Sequence, residues 1–225
     1  MSFARHTKSD PRPPSGFEAM LAGFPDSPML SNLRSSMTAA VAEYKSATDA
    51  INRIAGDKTL TDAGRLVRQA TVVRAKMDKA ITDLENATSK TAAGRQLVEA
   101  ELRKPLDFSG SNLAEISLAA ELRAHLKNMP DEARAKFMQT AIAEVDVTSL
   151  RAIASAPSFL SGISEPVHEL ARDKVLSLFA PEHMASQKIL AEGEAFALNL
   201  KRQLEQSVAN SVDFESADEI AKNAS

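Results

Sequence analysis

Residues 30–55 read LSNLRSSMTAAVAEYKSATDAINRIA, and their spacing decides the fold. Leu30, Leu33, Met37, Ala40, Tyr44, Ala47, Ile51 and Ile54 recur at alternating intervals of three and four. An α-helix turns once per about 3.6 residues, so this spacing lines the side chains along one narrow stripe, close to the 3.5-residue period of a coiled-coil seam. Gly56-Asp57-Lys58 interrupts the stripe, and Thr59 or Thr61 then offers a hydroxyl to the free amides of a new helix. There Ala63, Leu66, Ala70, Val73, Met77, Ala80, Leu84 and Ala87 repeat the pattern. Two such stripes joined by a short turn predict an antiparallel helical hairpin over 29–105.

The composition of the stripes qualifies that expectation. Val67 and Ile81 widen the second one, and alanine-rich faces bury little apolar area. No aromatic residue lies between Tyr44 and Phe108. The hairpin therefore requires a third surface, for which the C-terminal half, a second copy and a partner protein all qualify. Thr61-Asp62-Ala63-Gly64-Arg65 is echoed by Thr91-Ala92-Ala93-Gly94-Arg95, with Ala70 matching Ala100. Read as two capped helix starts, the echo places a break or kink in the polar run 86–91, and Pro105 ends the helical arm.

Upstream, Pro11, Pro13, Pro14, Pro25 and Pro28 forbid a continuous helix and mark residues 1–28 as an N-terminal arm. Within it Phe17, Met20, Leu21 and Phe24 fall at i, i+3, i+4 and i+7, one face of a short helix. Such a face either folds onto the protein's own core or docks in a partner's groove, and these four residues are the candidate partner-binding set.

Downstream, residues 106–210 read as a multi-helix bundle. Asn112 is placed to cap a helix bearing Leu113, Ile116, Leu118, Leu122 and Leu126. Pro130-Asp131-Glu132 opens another, with a buried face of Phe137, Met138, Ala141, Ile142 and Val145. A short helix over 149–154 precedes a turn, Glu165-Pro166 opens a helix through Val167, Leu170, Val175 and Leu178, and Pro181-Glu182 opens the last long one. Residues 211–225 form an acidic tail expected to fray.

The chain has 225 residues, a formal charge of −3 and no cysteine, which removes disulfides, thiolate nucleophiles and cysteine-ligated metals. No apolar run has the length of a membrane span, and the opening MSFARHTKSDPRPP has no signal-peptide core. His168-Glu169-Leu170-Ala171-Arg172 approaches the zinc-protease HExxH, but Arg172 stands where the second histidine is needed, so His168 reads as a structural or surface residue and no metal is expected. The glycines are scattered and form no phosphate-binding loop, and no serine sits in a GxSxG elbow. The expectation is a non-enzymatic protein without a cofactor. From Arg53 to Lys79 there are seven Lys or Arg against three Asp, and Arg65, Arg68, Lys76 and Lys79 could align on one side of a helix. This row is a candidate for nucleic-acid contact, and a solvated helix face is the plainer reading.

Asp146-Val147-Thr148-Ser149-Leu150-Arg151-Ala152-Ile153-Ala154-Ser155-Ala156-Pro157-Ser158-Phe159-Leu160-Ser161-Gly162-Ile163-Ser164 resembles a stretch of uncharacterised helical proteins of tailed bacteriophages and prophages. The resemblance covers about residues 110–175, and the Ala-Pro-x-Phe-Leu-Ser-Gly turn is its specific part. It implies a virion or head-assembly protein, assembled in the bacterial cytoplasm, that contacts capsid, portal or other virion proteins or itself. A soluble adaptor or regulatory protein and a DNA-contacting packaging protein are the alternatives.

Overall fold

A computed structural model describes residues 11–108 and 113–223. The described chain is all-α, with no strand. In order the α-helices are α1 (Pro14–Ala22), α2 (Ser31–Ala55), α3 (Asp62–Arg103), α4 (Leu113–Asn128), α5 (Asp131–Glu144), α6 (Val147–Ala154), α7 (Glu165–Phe179), α8 (Pro181–Ser211) and α9 (Phe214–Asn223), with short 3-10 turns at Pro28–Leu30, Lys104–Leu106 and Ser158–Leu160. None of these helices is long and apolar enough to cross a membrane. The expected cap at Asn112 lies outside the described residues.

Two compact units emerge. One takes the described residues up to Gly94 together with those from Ile189; the other is Arg95–Lys188. The expected boundaries ran instead at 28/29, 105/106 and 210/211; α8 from Ile189 onward groups with the residues up to Gly94, and the end of α3 from Arg95 groups with the second unit.

In the first unit the α2 stripe is buried at Leu33, Met37, Ala40, Tyr44 and Ala47, and the α3 stripe at Ala70, Val73, Met77, Ala80, Leu84 and Ala87. Gln69 Nε2 donates to the Ile51 carbonyl at 3.1 Å and Lys76 reaches Glu43 at 3.5 Å, so polar contacts join α2 to α3. The third surface is α8. Its Leu190, Ala197, Leu200 and Leu204 are buried, Lys201 pairs with Glu85 of α3 at 2.8 Å, and Phe196 meets Phe24 edge-on with centroids 5.1 Å apart. Each fully buried Leu or Met contributes about 1.5–3 kcal/mol, several times what an alanine can, so α8 supplies the apolar area that the first two helices lack.

Several local expectations are corrected. The break placed at 86–91 does not occur, because α3 runs unbroken from Asp62 to Arg103. The buried Thr88 and Thr91 hydroxyls donate to the Leu84 and Ala87 carbonyls at 2.8 and 3.0 Å, so the two buried hydroxyls of the run are satisfied within the helix. At its start Thr61 is the cap, accepting from the Gly64 amide at 3.1 Å. The frayed tail is also corrected. Asp213 accepts from the Ser216 amide and opens α9, whose Asp218 grips Arg74 of α3 through two hydrogen bonds of 2.7 and 2.8 Å.

The second unit gathers around α6, whose Leu150 and Ile153 are fully buried among Leu102, Leu126, Met138 and Val175. Asp146 caps α6 by accepting from the Ser149 amide, and Arg123 of α4 donates to the Ala152 carbonyl at its far end at 2.6 Å. Burial pushes the Arg123 guanidinium pKa down from its ordinary value. Val145, expected inside, is partly exposed and ends α5 with a left-handed backbone, φ 56°. Leu170 and Leu178 of α7 are exposed.

Candidate functional site

The turn at residues 156–162 is tightly built. Ser158–Leu160 makes one 3-10 turn after Pro157, and the Ser161 hydroxyl donates back to the Ser158 carbonyl at 3.0 Å. Gly162 has φ +68°, a conformation that costs an L side chain dearly, and Arg134 of α5 occupies the place a β-carbon would take. His168 of α7 bonds the Ala156 carbonyl through Nε2 at 2.8 Å, while Ser161 and Ile163 are buried beneath. These anchors leave Phe159 66% exposed and Leu160 at its edge 40% exposed. A phenyl ring held in water on a fixed turn loses little conformational entropy on association, which makes it an efficient anchor for a partner. Alongside, Met138, Ile142, Ile163, Val167 and Leu170 line an open apolar groove of about 460 Å³ between α5 and α7.

The arm's candidate partner residues are placed differently from a free docking face. Phe17 is wholly buried, its ring edge-on to Tyr44 at 5.2 Å, and Phe24 is buried against Phe196. Both belong to the first unit's own core, which corrects their assignment to a partner. Met20 and Leu21 are half-buried on the same short helix. Tyr44 Oη donates to the Arg12 carbonyl at 2.8 Å, and Glu18 pairs with Lys45 at 3.1 Å, so polar contacts hold α1 on α2 as well. The periodicity identified an apolar face correctly but carried no information about what would cover it.

The basic row does not present four available cations either. Arg65 turns away to bond the Asp57 and Leu60 carbonyls at 2.8 and 2.9 Å and to pair with Asp62. Lys76 pairs with Glu43. Arg68 and Lys79 remain exposed, and Lys79 shares a shallow surface depression with Glu43 and Asp83. Acids interleaved with the bases cancel the field that a phosphate backbone would require.

Chemistry-bearing groups converge at one further place. Glu165, His168 and Glu169 of α7 bring one ligand atom each to within 4.8 Å of one another. Reading His168 and Glu169 as the start of an HExxH motif directs attention downstream to Arg172, whereas the third group stands upstream at Glu165. The Glu-x-x-His-Glu spacing was the signal available. No family model, curated protein or solved structure matches the chain.

Proposed function

We propose that this chain is a non-enzymatic structural protein of tailed-phage particles, acting in the virion or in head assembly through helix-mediated contacts with capsid, portal or neighbouring virion proteins. The observation that carries the interaction reading is the exposed Phe159 on a turn held by Gly162, Ser161 and His168. The phage setting rests on the resemblance of residues 146–164. In this reading α2 and α3 form an antiparallel, coiled-coil-like hairpin that serves as scaffold, and the second unit carries the contact surface. Phe17 and Phe24 hold the scaffold together, so the anchor role passes from the arm to the turn.

The test is mass spectrometry of purified particles together with a Phe159→Ser variant. The chain is expected in particles, and the variant is expected to lower its incorporation while leaving its thermal melt unchanged, since an exposed ring contributes little to folding. Abundance in infected cells with none in particles would overturn the virion role and point to an adaptor. Unchanged incorporation of the variant would remove Phe159 as the anchor.

A further inference from the structure

We propose that Glu165, His168 and Glu169 form a binding site for a divalent transition-metal ion of the borderline class, such as zinc, which accepts imidazole nitrogen and carboxylate oxygen together. The three residues stand at i, i+3 and i+4 at the start of α7, so one helix face presents them all. This site is independent of the virion reading.

His168 carries the argument. Its side chain is only 9% exposed. Nε2 lies 2.8 Å from the Ala156 carbonyl, an acceptor, so the ring proton belongs on Nε2 in the neutral tautomer. Nδ1 is then left as a lone pair, buried and without a hydrogen-bond partner. Glu169 Oε1, itself an acceptor, lies 4.0 Å from it. Two electron-rich atoms facing each other repel, and a cation between them converts that repulsion into two bonds. A metal-binding imidazole characteristically donates its other nitrogen to a backbone carbonyl, which orients the ring and raises its basicity, and Ala156 fills that role.

The geometry asks for modest closure. Metal–ligand bonds of about 2.0–2.2 Å bring neighbouring ligand atoms closer together than the 4.8 Å seen here. Glu165 and Glu169 are exposed and free to swing inward. Arg172 lies 3.7 Å from Glu169 Oε1, and a carboxylate has a second oxygen with which to keep that neighbour while the first turns to the ion. The positive end of the α7 dipole opposes a cation, but amounts to about half a charge against two full carboxylates. Magnesium and calcium fit poorly, because hard cations take oxygen and would leave the imidazole unused.

The experiment uses the full chain, stripped with chelator and titrated with zinc by calorimetry and with cobalt by visible absorption. One ion per chain is expected, with a rise in melting temperature that chelator reverses and millimolar magnesium does not reproduce. Glu165→Gln and Glu169→Gln, both exposed positions, are expected each to weaken binding by about tenfold or more. His168→Gln abolishes it, while a His125→Gln, His183→Gln chain binds as the parent does. If His168→Gln fails to fold, the two glutamate variants decide the question. No binding at millimolar zinc, or affinity unchanged in the Glu165→Gln, Glu169→Gln double variant, overturns the proposal.

Discussion

Leu30 lies directly over Gly193: a β-carbon built on Gly193 of α8 would sit 2.6 Å from Leu30 Cδ2 and 2.8 Å from Cδ1. Leu30 is itself buried, so its methyls have nowhere to retreat. The glycine is therefore a packing requirement, since α8 approaches the start of α2 too closely for a side chain. Gly193→Ala is expected to destabilise the chain by about 1–3 kcal/mol through overpacking, despite alanine's better helix propensity. Gly94→Ala in α3, where a β-carbon meets nothing within 4 Å, is expected to stabilise by about 1 kcal/mol. Urea denaturation of the two variants reads the opposite signs directly.

Tyr44 ties the arm to α2 by donating to the Arg12 carbonyl. Tyr44→Phe keeps the ring packed on Phe17 and removes the donor, with an expected loss of about 1 kcal/mol in chemical denaturation. Burial raises the Tyr44 pKa, with the Ser207 and Thr48 hydroxyls pulling the other way. Its stabilising contribution is thus fully present below the ordinary tyrosine value of about 10 and lost as pH rises through the raised folded value. An alkaline unfolding curve should show this for the parent and not for Tyr44→Phe.

Asp218 has the opposite sign. Its hydrogen bonds from Arg74 hold its carboxyl below the usual aspartate range. The contribution is present above about pH 4 and lost as pH falls through the lowered folded value. Amides of α9 should exchange faster with solvent below that point, and Asp218→Asn should speed them at neutral pH while barely moving the global melt. Equal protection of α9 in parent and variant would exclude the contact as its tether.

Val145 ends α5 with φ 56°, where a β-branched side chain is strained. It is also partly exposed, so little burial is lost on truncation. Val145→Gly is expected to stabilise by about 0.5–1 kcal/mol, seen as a raised melting temperature. A lowered one would mean that its side-chain contacts outweigh the strain.

The elements themselves are legible in the sequence because their signals are local. The three-four stripes, the prolines at 130, 166 and 181 and the threonine before α3 each act within a turn or two of chain. The misreadings arose where one residue type has two local uses. Thr91 can cap a new helix or bond back within an old one, and only the continuity of α3 chooses between them. Valine at 145 looks apolar enough to be buried, yet the chain reversal before Asp146 takes it to the surface.

The candidate site follows the same division. Phe17 and Phe24 are recognisable as an apolar face, Phe159 as part of an unusual turn, and His168 as a near-motif, but burial separates their roles and does not appear in any spacing. By itself the sequence determined the all-helical character, most helix starts and the need for a third surface on α2 and α3, because backbone geometry and apolar periodicity act over a few residues. Only the tertiary structure decided that α8 meets this need, that the arm's phenylalanines lie in the core and that His168 is buried against the Ala156 carbonyl. Those outcomes depend on which surfaces leave water together, and that free energy belongs to pairs of segments far apart in the chain.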